Sequence, residues 1–207
     1  MKRGDKIYPP IVIMLSGKAR SGKDTIGEII RHEIEVGIVT EDNFFQSPVA
    51  TLGFADLLKA VSKRNHGYEG KAVNRKVLLD VGDEMRAVDK DVFVKPILHF
   101  IDVYKKMGYG VIVITDTRYA NEYECIENYP NGVPYVIRID STNGHNGVED
   151  YTKEHCSEQL DVPFNFILEV GKLDKESYPK LVTKIRRILA DIVDDYMRHF
   201  SGNVITK

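Results

Sequence analysis

The chain has 207 residues, of which 43% are hydrophobic and 29% charged, a composition typical of a folded globular protein. Its formal charge of -2 at pH 7 argues against a strongly basic nucleic-acid-binding protein. No apolar run reaches the roughly 20 residues of a membrane span, and the N-terminus lacks a signal-peptide pattern. Cys125 and Cys156 have neither CxxC nor zinc spacing, which favours reduced thiols. We expect one domain over residues 1–207, located in the cytoplasm, with no nucleic-acid or membrane partner.

The first predicted elements are a buried strand and a helix. Residues 11–16 (IVIMLS) are apolar without alternation, which predicts a strand buried on both faces, as in a parallel sheet. Isoleucines then recur at helical spacing, so a helix is expected over about 22–36. A second strand is expected over 50–54, followed by a short helix that includes residues 57–61.

The rest of the chain continues the alternation of helices and strands. The predicted elements are helices over about 74–88 and 92–106, strands over 110–115, 133–139 and 164–170, and an amphipathic C-terminal helix with an apolar stripe over 181–196. The second of these helices is expected to be interrupted or kinked near Pro96. This alternation predicts an α/β fold with a mostly parallel sheet.

Residues 140–151 form the one long stretch without an apolar period. They are rich in glycine and asparagine, which predicts an exposed loop. Long loops in compact domains are often functional lids.

The segment between the first strand and the first helix has the spacing GxxxxGK, from Gly17 to Lys23. Glycines let the backbone curl so that successive N–H groups point at phosphate oxygens, and the following helix N-terminus adds a partial positive charge. Lys23 would reach the β- and γ-phosphates as a mobile point charge. The strand before the segment and the helix after it favour a nucleotide site over a structural turn.

The residue after Lys23 departs from the general pattern. Where a Ser or Thr usually ligates Mg²⁺, this chain has Asp24, with Thr25 next. Asp24 would bind the metal as a carboxylate, act through water, or leave the metal to Thr25. As an acidic residue in the first turn, Asp24 also suits the helix dipole.

A second polar cluster follows the strand over 110–115. Asp116 lies where a second acidic group can hold Mg²⁺ directly or through water. Arg118 lies at the carboxyl end of the sheet, where ligands bind in open α/β folds. A surface ion pair between the two residues is the alternative interpretation.

Phosphoryl transfer between two anions requires nearby cations, and arginine suits a phosphate monoester best. The candidates are Lys23, Arg20, Arg86 and Arg118. Arg86 equally suits a helix C-terminus, and Lys59 equally suits a solvated helix face. A phosphate acceptor needs no strong base because it is mostly dianionic at neutral pH, whereas a hydroxyl acceptor would need an Asp such as Asp56 or Asp116. The residue types leave both acceptors open. The chain has no Asn-Lys-x-Asp guanine signature, which favours a small phosphotransferase over a GTPase.

Five segments carry a family resemblance. They are LSGKARSGKDT (15–25), FADLLK (54–59), LLDVGDEMRAVDKDVFV (78–94), VIVITDTRYANEYE (111–124) and HCSEQLD (155–161). Together and in this order they resemble the deoxynucleoside monophosphate kinases encoded by tailed bacteriophages, in which the GKD ending of the loop is typical. The loop is also similar to animal-type phosphomevalonate kinase, whereas the downstream segments are more similar to the phage enzymes.

The resemblance implies a P-loop, nucleoside monophosphate kinase-like fold, in which helices flank a five-stranded parallel sheet and a mobile lid covers about 140–158. It also implies ATP as phosphoryl donor, Mg²⁺ as cofactor, a nucleoside monophosphate as acceptor and, as is common among relatives, a homodimer. If the chain is phage-encoded, the compartment is the host cytoplasm.

The resemblance further implies roles for individual residues. Those that hold the ATP phosphates are Gly17, Lys18, Ala19, Arg20, Ser21, Gly22, Lys23, Asp24 and Thr25. Those nearest the transfer are Lys23, Arg20, Arg118 and Asp116, and those near the metal are Asp24, Thr25 and Asp116. The acceptor side would be lined by Phe54, Asp56, Lys59, Arg86, Arg118 and Glu122, and the lid would contribute Lys153, His155, Ser157 and Glu158. Ser157 and Glu158 equally suit a helix cap.

One departure from the family pattern concerns the lid. Family members often carry Arg-Pro just after the strand over 133–139, where this chain has Asp140-Ser141. Either another cation such as Lys153 supplies that charge, or the lid contributes less to catalysis.

The sequence therefore predicts an ATP- and Mg²⁺-dependent kinase that converts deoxynucleoside monophosphates to diphosphates. One alternative is a kinase of another small phosphorylated acceptor, such as phosphomevalonate or dephospho-coenzyme A. The other is a regulatory protein that binds ATP without transferring phosphate.

Overall fold

Strands and helices alternate through the part of the chain that the computed structural model describes, which is residues 2–3, 6–37, 48–66, 75–142, 162–172 and 174–201. The strands are β1 (Lys2–Arg3), β2 (Lys6–Ile7), β3 (Ile11–Ser16), β4 (Val49–Leu52), β5 (Val111–Thr117), β6 (Val133–Ser141) and β7 (Phe166–Val170). The helices are α1 (Lys23–Glu35), α2 (Ala55–His66), α3 (Arg75–Val88), α4 (Val94–Met107), α5 (Ala120–Glu127) and α6 (Ser177–Ser201). The short strands β1 and β2 form an antiparallel pair of their own.

The strands from β3 to β7 form one parallel sheet in the order β4-β5-β3-β6-β7. The central strand β3 pairs with β5 and β6, so that Ile11 lies opposite both Val111 and Val133. All six residues of β3 are buried, as their continuous apolar pattern predicts. Because the five strands run the same way, the loops that follow them meet at one edge of the sheet.

Helices cover both faces of this sheet. On one face α1 and α6 enclose a core to which α6 contributes a buried stripe that includes Leu181, Ile185, Leu189, Ile192 and Tyr196. On the other face α2, α4 and α5 contribute buried residues, and half-buried side chains of α3 pack against them. The predicted α/β architecture, with five parallel strands flanked by helices, is confirmed.

Helix α1 approaches the sheet closely at Gly27. A Cβ at this position would lie 2.7 Å from Cγ2 of Thr115 on β5. Thr115 is β-branched and has few alternative rotamers in a strand, so it cannot easily move aside. The absence of a side chain at Gly27 therefore sets how closely the helix that carries the phosphate loop packs on β5.

The structure differs from the sequence prediction at Pro96. The expected interruption of the helix near Pro96 is wrong, because α4 begins at Val94 and Pro96 lies in its first turn. The N–H groups of a first turn have no acceptor within their own helix, so proline costs no hydrogen bond there. The preceding residues instead form a turn in which Val94 and Lys95 donate backbone hydrogen bonds to Asp91 O.

The predicted lid falls mostly outside the described residues. Strand β6 continues to Ser141, and Asp140 and Ser141 pair with Glu169 and Val170 of β7, so the first residues assigned to the lid belong to the sheet. The remaining lid candidates, Lys153, His155, Ser157 and Glu158, lie outside the described residues, as does Cys156. Within the described ranges, no helix combines the length and apolarity that a membrane crossing requires.

The close approach at Gly27 leads to a stability prediction. Alanine is intrinsically the better helix former by about 1 kcal/mol, yet we expect Gly27→Ala to lower the free energy of unfolding by about 1–2 kcal/mol, because its Cβ would overlap Thr115 Cγ2. Thr115→Ser removes that methyl group, so in a Thr115→Ser background Gly27→Ala should be neutral or stabilising by up to ~1 kcal/mol. Urea unfolding of the four proteins tests this. A Gly27→Ala protein more stable than wild type would contradict the packing described.

Candidate active site

The loop between β3 and α1 is curled tightly against the neighbouring strand. A Cβ at Gly17 would lie 2.7 Å from the carbonyl oxygen of Ile139 on β6, so only glycine fits there. Arg20 and Gly22 both have left-handed backbone conformations, with φ of 60° and 86°. A left-handed arginine is unfavourable by roughly 1–2 kcal/mol, so the surrounding loop must impose that conformation. The curled shape is the one in which consecutive N–H groups form an anion-binding nest.

The side chain of Lys23 lies at the centre of this loop. Its ammonium donates hydrogen bonds to Gly17 O at 2.6 Å, Lys18 O at 2.7 Å and Ser21 Oγ at 3.3 Å. Lys23 is buried although it is charged, and a buried charge needs polar partners such as these. The first backbone hydrogen bond of α1 runs from Ile26 N–H to Gly22 O, so the positive end of the helix dipole points at the same loop. The structure thus brings three of the predicted phosphate-binding residues, Gly17, Lys18 and Ser21, around the Lys23 ammonium.

The carboxylate of Asp116 joins the end of β5 to the start of α2. It accepts hydrogen bonds from Phe54 N–H at 2.7 Å and Ala55 N–H at 3.0 Å, one to each oxygen. Burial raises the pKa of Asp116, although these N–H groups and the charges of Lys59 and Arg118 oppose the increase. The side chain of Phe54, predicted to line the acceptor side, is buried in the core, so its contribution at this edge is its backbone N–H.

Lys59 lies among three carboxylates from different elements. Its ammonium donates a hydrogen bond to Asp56 Oδ1 at 2.8 Å, and Asp56 Oδ2 accepts one from Gly53 N–H. Burial lowers the pKa of Lys59, but the hydrogen bond to Asp56 and the charges of Asp116, Asp56 and Asp24 outweigh it, so the pKa lies above its usual value. Lys59 therefore interacts electrostatically both with Asp24 in the first turn of α1 and with Asp116 at the end of β5.

The guanidinium of Arg86 is held by two aromatic rings and a carboxylate. Its central carbon lies 3.7 Å from the ring centroid of Tyr119 and 4.6 Å from that of Phe93. Its Nη2 lies 3.5 Å from Glu122 Oε1, and 20% of the Arg86 side chain remains exposed. Cation–π contacts of this kind favour one orientation of a planar guanidinium. Arg86 is thus a pre-oriented cation with part of its surface open to solvent.

The buried carboxylate of Glu122 helps to hold Arg86 in place. It is only 2% exposed, and its Oε2 accepts hydrogen bonds from the backbone N–H groups of Arg118 at 2.8 Å and Tyr119 at 3.1 Å. Burial raises the pKa of Glu122 to about 7, reinforced by the charge of Asp116 and opposed by Arg86. Glu122, predicted as an acceptor-binding residue, here positions Arg86 and the backbone that carries Arg118.

The predicted metal ligands lie at the same edge of the sheet but do not form a cluster of their own. Asp24 and Thr25 are exposed in the first turn of α1, and the charge of Asp24 acts on Lys59. Among the described residues, no group of three or more His, Cys, Asp or Glu side chains can hold a metal ion. An Mg²⁺ ion that accompanies nucleotide phosphates needs only one or two carboxylates, because phosphate oxygens and waters complete its shell.

Sequence reasoning missed three residues at this edge. Phe93 and Tyr119 support Arg86, and only their positions within the segments 78–94 and 111–124 indicated that they lie near the site. Arg138 of β6 pairs in register with Ser16, the last residue before the loop. In sequence Arg138 is simply one polar residue in an apolar strand, so no local signal marks it.

One of the comparisons with known proteins supports this fold. No protein-family model matches the chain, and no curated protein matches its sequence. A solved structure described as a candidate kinase from Chloroflexus aurantiacus J-10-fl has a TM-score of 0.50 at 15% identity and covers 86% of this chain and 98% of its own. APE1195 has a TM-score of 0.48 at 16% identity, covering 90% and 98%. A gluconokinase from Sinorhizobium meliloti 1021 has a TM-score of 0.44 at 11% identity, covering 92% and 99%. The chain shares the overall α/β fold of the first of these structures.

The buried Glu122 carboxyl predicts a pH dependence of stability. Because its pKa is about 7 in the folded chain against an ordinary value of 4.5, the folded state holds a proton that the unfolded state has released. The free energy of unfolding should therefore fall as pH rises from 4.5 to about 7, by at most ~3 kcal/mol from this group. Glu122→Gln should flatten the curve in that window, leaving the slope that the raised pKa of Asp116 contributes.

Urea unfolding across this pH range measures the effect. The exposed Glu124 lies on the same helix, so Glu124→Gln is the matched control and should leave the slope unchanged. Equal slopes for wild type and Glu122→Gln would contradict the assigned environment of Glu122.

Proposed function

We propose that the protein is an ATP- and Mg²⁺-dependent kinase that phosphorylates deoxynucleoside monophosphates to diphosphates. The observation that carries this proposal is the presence of two cationic groups at one edge of the sheet. One is the phosphate loop around Lys23, and the other is Arg86, stacked on Tyr119 and paired with Glu122. A kinase that joins two phosphorylated substrates needs one such group for each of them.

Electrostatic interactions connect the two groups across the edge. The charge of Asp24, next to the loop lysine, acts on Lys59, and the charge of Lys59 acts on Asp116. Asp116 in turn interacts with Arg118 and with Glu122, the partner of Arg86. This edge of the sheet therefore carries positive and negative groups that act on one another, which suits the binding of anionic substrates with a metal cation.

The geometry favours a phosphate acceptor over a hydroxyl acceptor. A hydroxyl needs a carboxylate base, but each oxygen of Asp116 accepts a backbone N–H, and Asp56 is hydrogen-bonded to Gly53 and Lys59. A phosphate monoester needs no base and is recognised by the planar fork of an arginine. Arg86 provides such a fork. The choice of a deoxynucleoside monophosphate rests on the resemblance of the five sequence segments to the phage enzymes.

In this mechanism the chain's residues act by position and charge. The loop and Lys23 bind the β- and γ-phosphates, and Arg86 and Arg118 hold the acceptor so that its oxygen is in line with the γ-phosphorus. The acceptor oxygen bonds to the γ-phosphorus as the bond to the ADP oxygen breaks, so ADP leaves and no proton needs to be removed. Asp24, with Asp116 acting through water, would hold Mg²⁺, which would supply positive charge to offset the negative charge of the nucleotide phosphates. Rotation of Lys23 away from the loop carbonyls would let its ammonium meet those phosphates.

The substrate class is tested by a coupled assay of ADP release with Mg-ATP. Each of the four deoxynucleoside monophosphates, phosphomevalonate, dephospho-coenzyme A, gluconate and no acceptor are compared. We expect turnover to be stimulated by at least one deoxynucleoside monophosphate. Turnover with another acceptor alone would keep the fold but replace the substrate, and ATP binding without any turnover would indicate a regulatory protein.

Lys23→Ala should abolish transfer. The substitution removes the ammonium that reaches the transferring phosphate, so we expect kcat to fall at least ~1000-fold while circular dichroism shows an intact fold. An active Lys23→Ala protein would disprove the site assignment.

Arg86→Lys should act on the acceptor alone. Lysine keeps the charge but loses the planar fork and the stacking on Tyr119, so we expect kcat/KM for the acceptor to fall by roughly 10–100-fold, with KM for ATP nearly unchanged. Arg198 is 75% exposed on α6, so Arg198→Lys is the matched control and should match wild type. An equal effect of Arg86→Lys on both substrates would place Arg86 outside the acceptor site.

A further inference from the structure

Arg138 lies beside the phosphate loop, on the face of the sheet where Phe54 packs. It pairs in register with Ser16, which immediately precedes Gly17. The next residue, Ile139, has its carbonyl oxygen against Gly17, where a Cβ would lie only 2.7 Å away. The backbone at Arg138 is therefore fixed relative to the first residue of the loop.

The alternation of β6 determines which face Arg138 occupies. Tyr135, Ile137 and Ile139 lie in the core shared with α1 and α6, whereas Val136 lies in the opposite core. Arg138 follows Val136 by two residues and is on that opposite face. Phe54, whose backbone N–H binds Asp116, also belongs to the opposite core.

On this face of the sheet, the residues in register across the strands change from apolar to polar at the row that contains Arg138. The preceding row, at Leu52, Ile114, Met14 and Val136, is apolar and buried. One step further towards the carboxyl ends, the row contains Thr117, Ser16 and Arg138. Thr117 Oγ1 is buried and has no hydrogen-bond partner within the described part of the chain. Arg138 thus lies in the first polar row, where the apolar core ends.

The side chain of Arg138 has a weak aromatic contact. Its guanidinium carbon lies 5.8 Å from the ring centroid of Phe164, near the outer limit for a cation–π interaction. Phe164 is itself 41% exposed. This contact is looser than the 3.7 Å stacking of Arg86 on Tyr119.

We propose that Arg138 is a catalytic cation that contacts the γ-phosphate of the bound nucleoside triphosphate; this inference rests on the proposed function. The Lys23 ammonium, which reaches β- and γ-phosphates in loops of this kind, is bonded to Gly17 O and Lys18 O at the start of the loop. Arg138 adjoins that start, on the side of Asp116 and Arg118.

The test compares the binding of a triphosphate and a diphosphate by isothermal titration calorimetry. Arg138→Gln should weaken binding of the non-hydrolysable analogue AMP-PNP by roughly tenfold or more and leave ADP affinity within about twofold, because only the triphosphate offers a γ-phosphate. Arg138→Lys keeps the charge without the fork and should fall between wild type and Arg138→Gln. Arg198→Gln and Phe164→Leu should keep the wild-type ratio of the two affinities.

The outcomes separate this proposal from the kinase assignment. Equal weakening of both nucleotides by Arg138→Gln, or none, would overturn the role of Arg138, as would a selective loss of AMP-PNP binding in Lys153→Gln with no such loss in Arg138→Gln. If Arg138→Gln does not fold, the ratio of AMP-PNP affinity to ADP affinity measured for Arg138→Lys decides whether Arg138 contacts the γ-phosphate. If wild type phosphorylates none of the tested acceptors, the proposed function fails, while the affinity ratio still decides whether Arg138 contacts the γ-phosphate.

Discussion

The hydrogen bonds from Phe54 and Ala55 to the buried carboxylate of Asp116 hold the site edge of the sheet together. They join β5, a strand next to the centre of the sheet, to α2, which carries Asp56 and Lys59. Without the carboxylate, two backbone donors at a helix start would lose their acceptor, at a cost of about 1–3 kcal/mol each if they stayed buried. Lys59 and Arg118 stabilise the charge in turn. One acidic side chain therefore both fixes the start of α2, which carries Lys59, and interacts with Lys59 and Arg118.

Glu122 on α5 is a second buried carboxylate that accepts hydrogen bonds from backbone N–H groups. Glu122 reaches back to the N–H groups of Arg118 and Tyr119 and also faces Arg86, so one side chain orders the turn after β5 and the stacked arginine above it. Both carboxylates have raised pKa values because they are buried. Burial of these two carboxyl groups therefore lowers stability near neutral pH, and their contacts hold the nearby cations in place.

The parts of the fold that depend on local pattern could be predicted from the sequence. The apolar run of β3, the isoleucine spacing of α1 and the GxxxxGK spacing are all local, and the structure agrees with them. The aromatic support of Arg86 could not be predicted in this way, because Phe93 and Tyr119 reach it from different elements. Arg138 was missed because it lies beside the loop only through the pairing of β6 with β3. That pairing places it opposite Ser16, a residue 122 positions earlier in the chain. The interruption predicted at Pro96 was wrong because proline disrupts a helix only beyond its first turn, and α4 begins at Val94.

The central proposal is that donor and acceptor phosphates bind at the same edge of the sheet, the donor at Lys23 and the acceptor at Arg86. Calorimetric titration with a bisubstrate analogue, in which adenosine and a deoxynucleoside are joined through a pentaphosphate, tests this claim most directly. The account predicts one analogue per chain, bound at least ~100-fold more tightly than ATP, and weakened by both Lys23→Ala and Arg86→Lys. An analogue bound no more tightly than ATP, with an affinity that Arg86→Lys does not change, would contradict it.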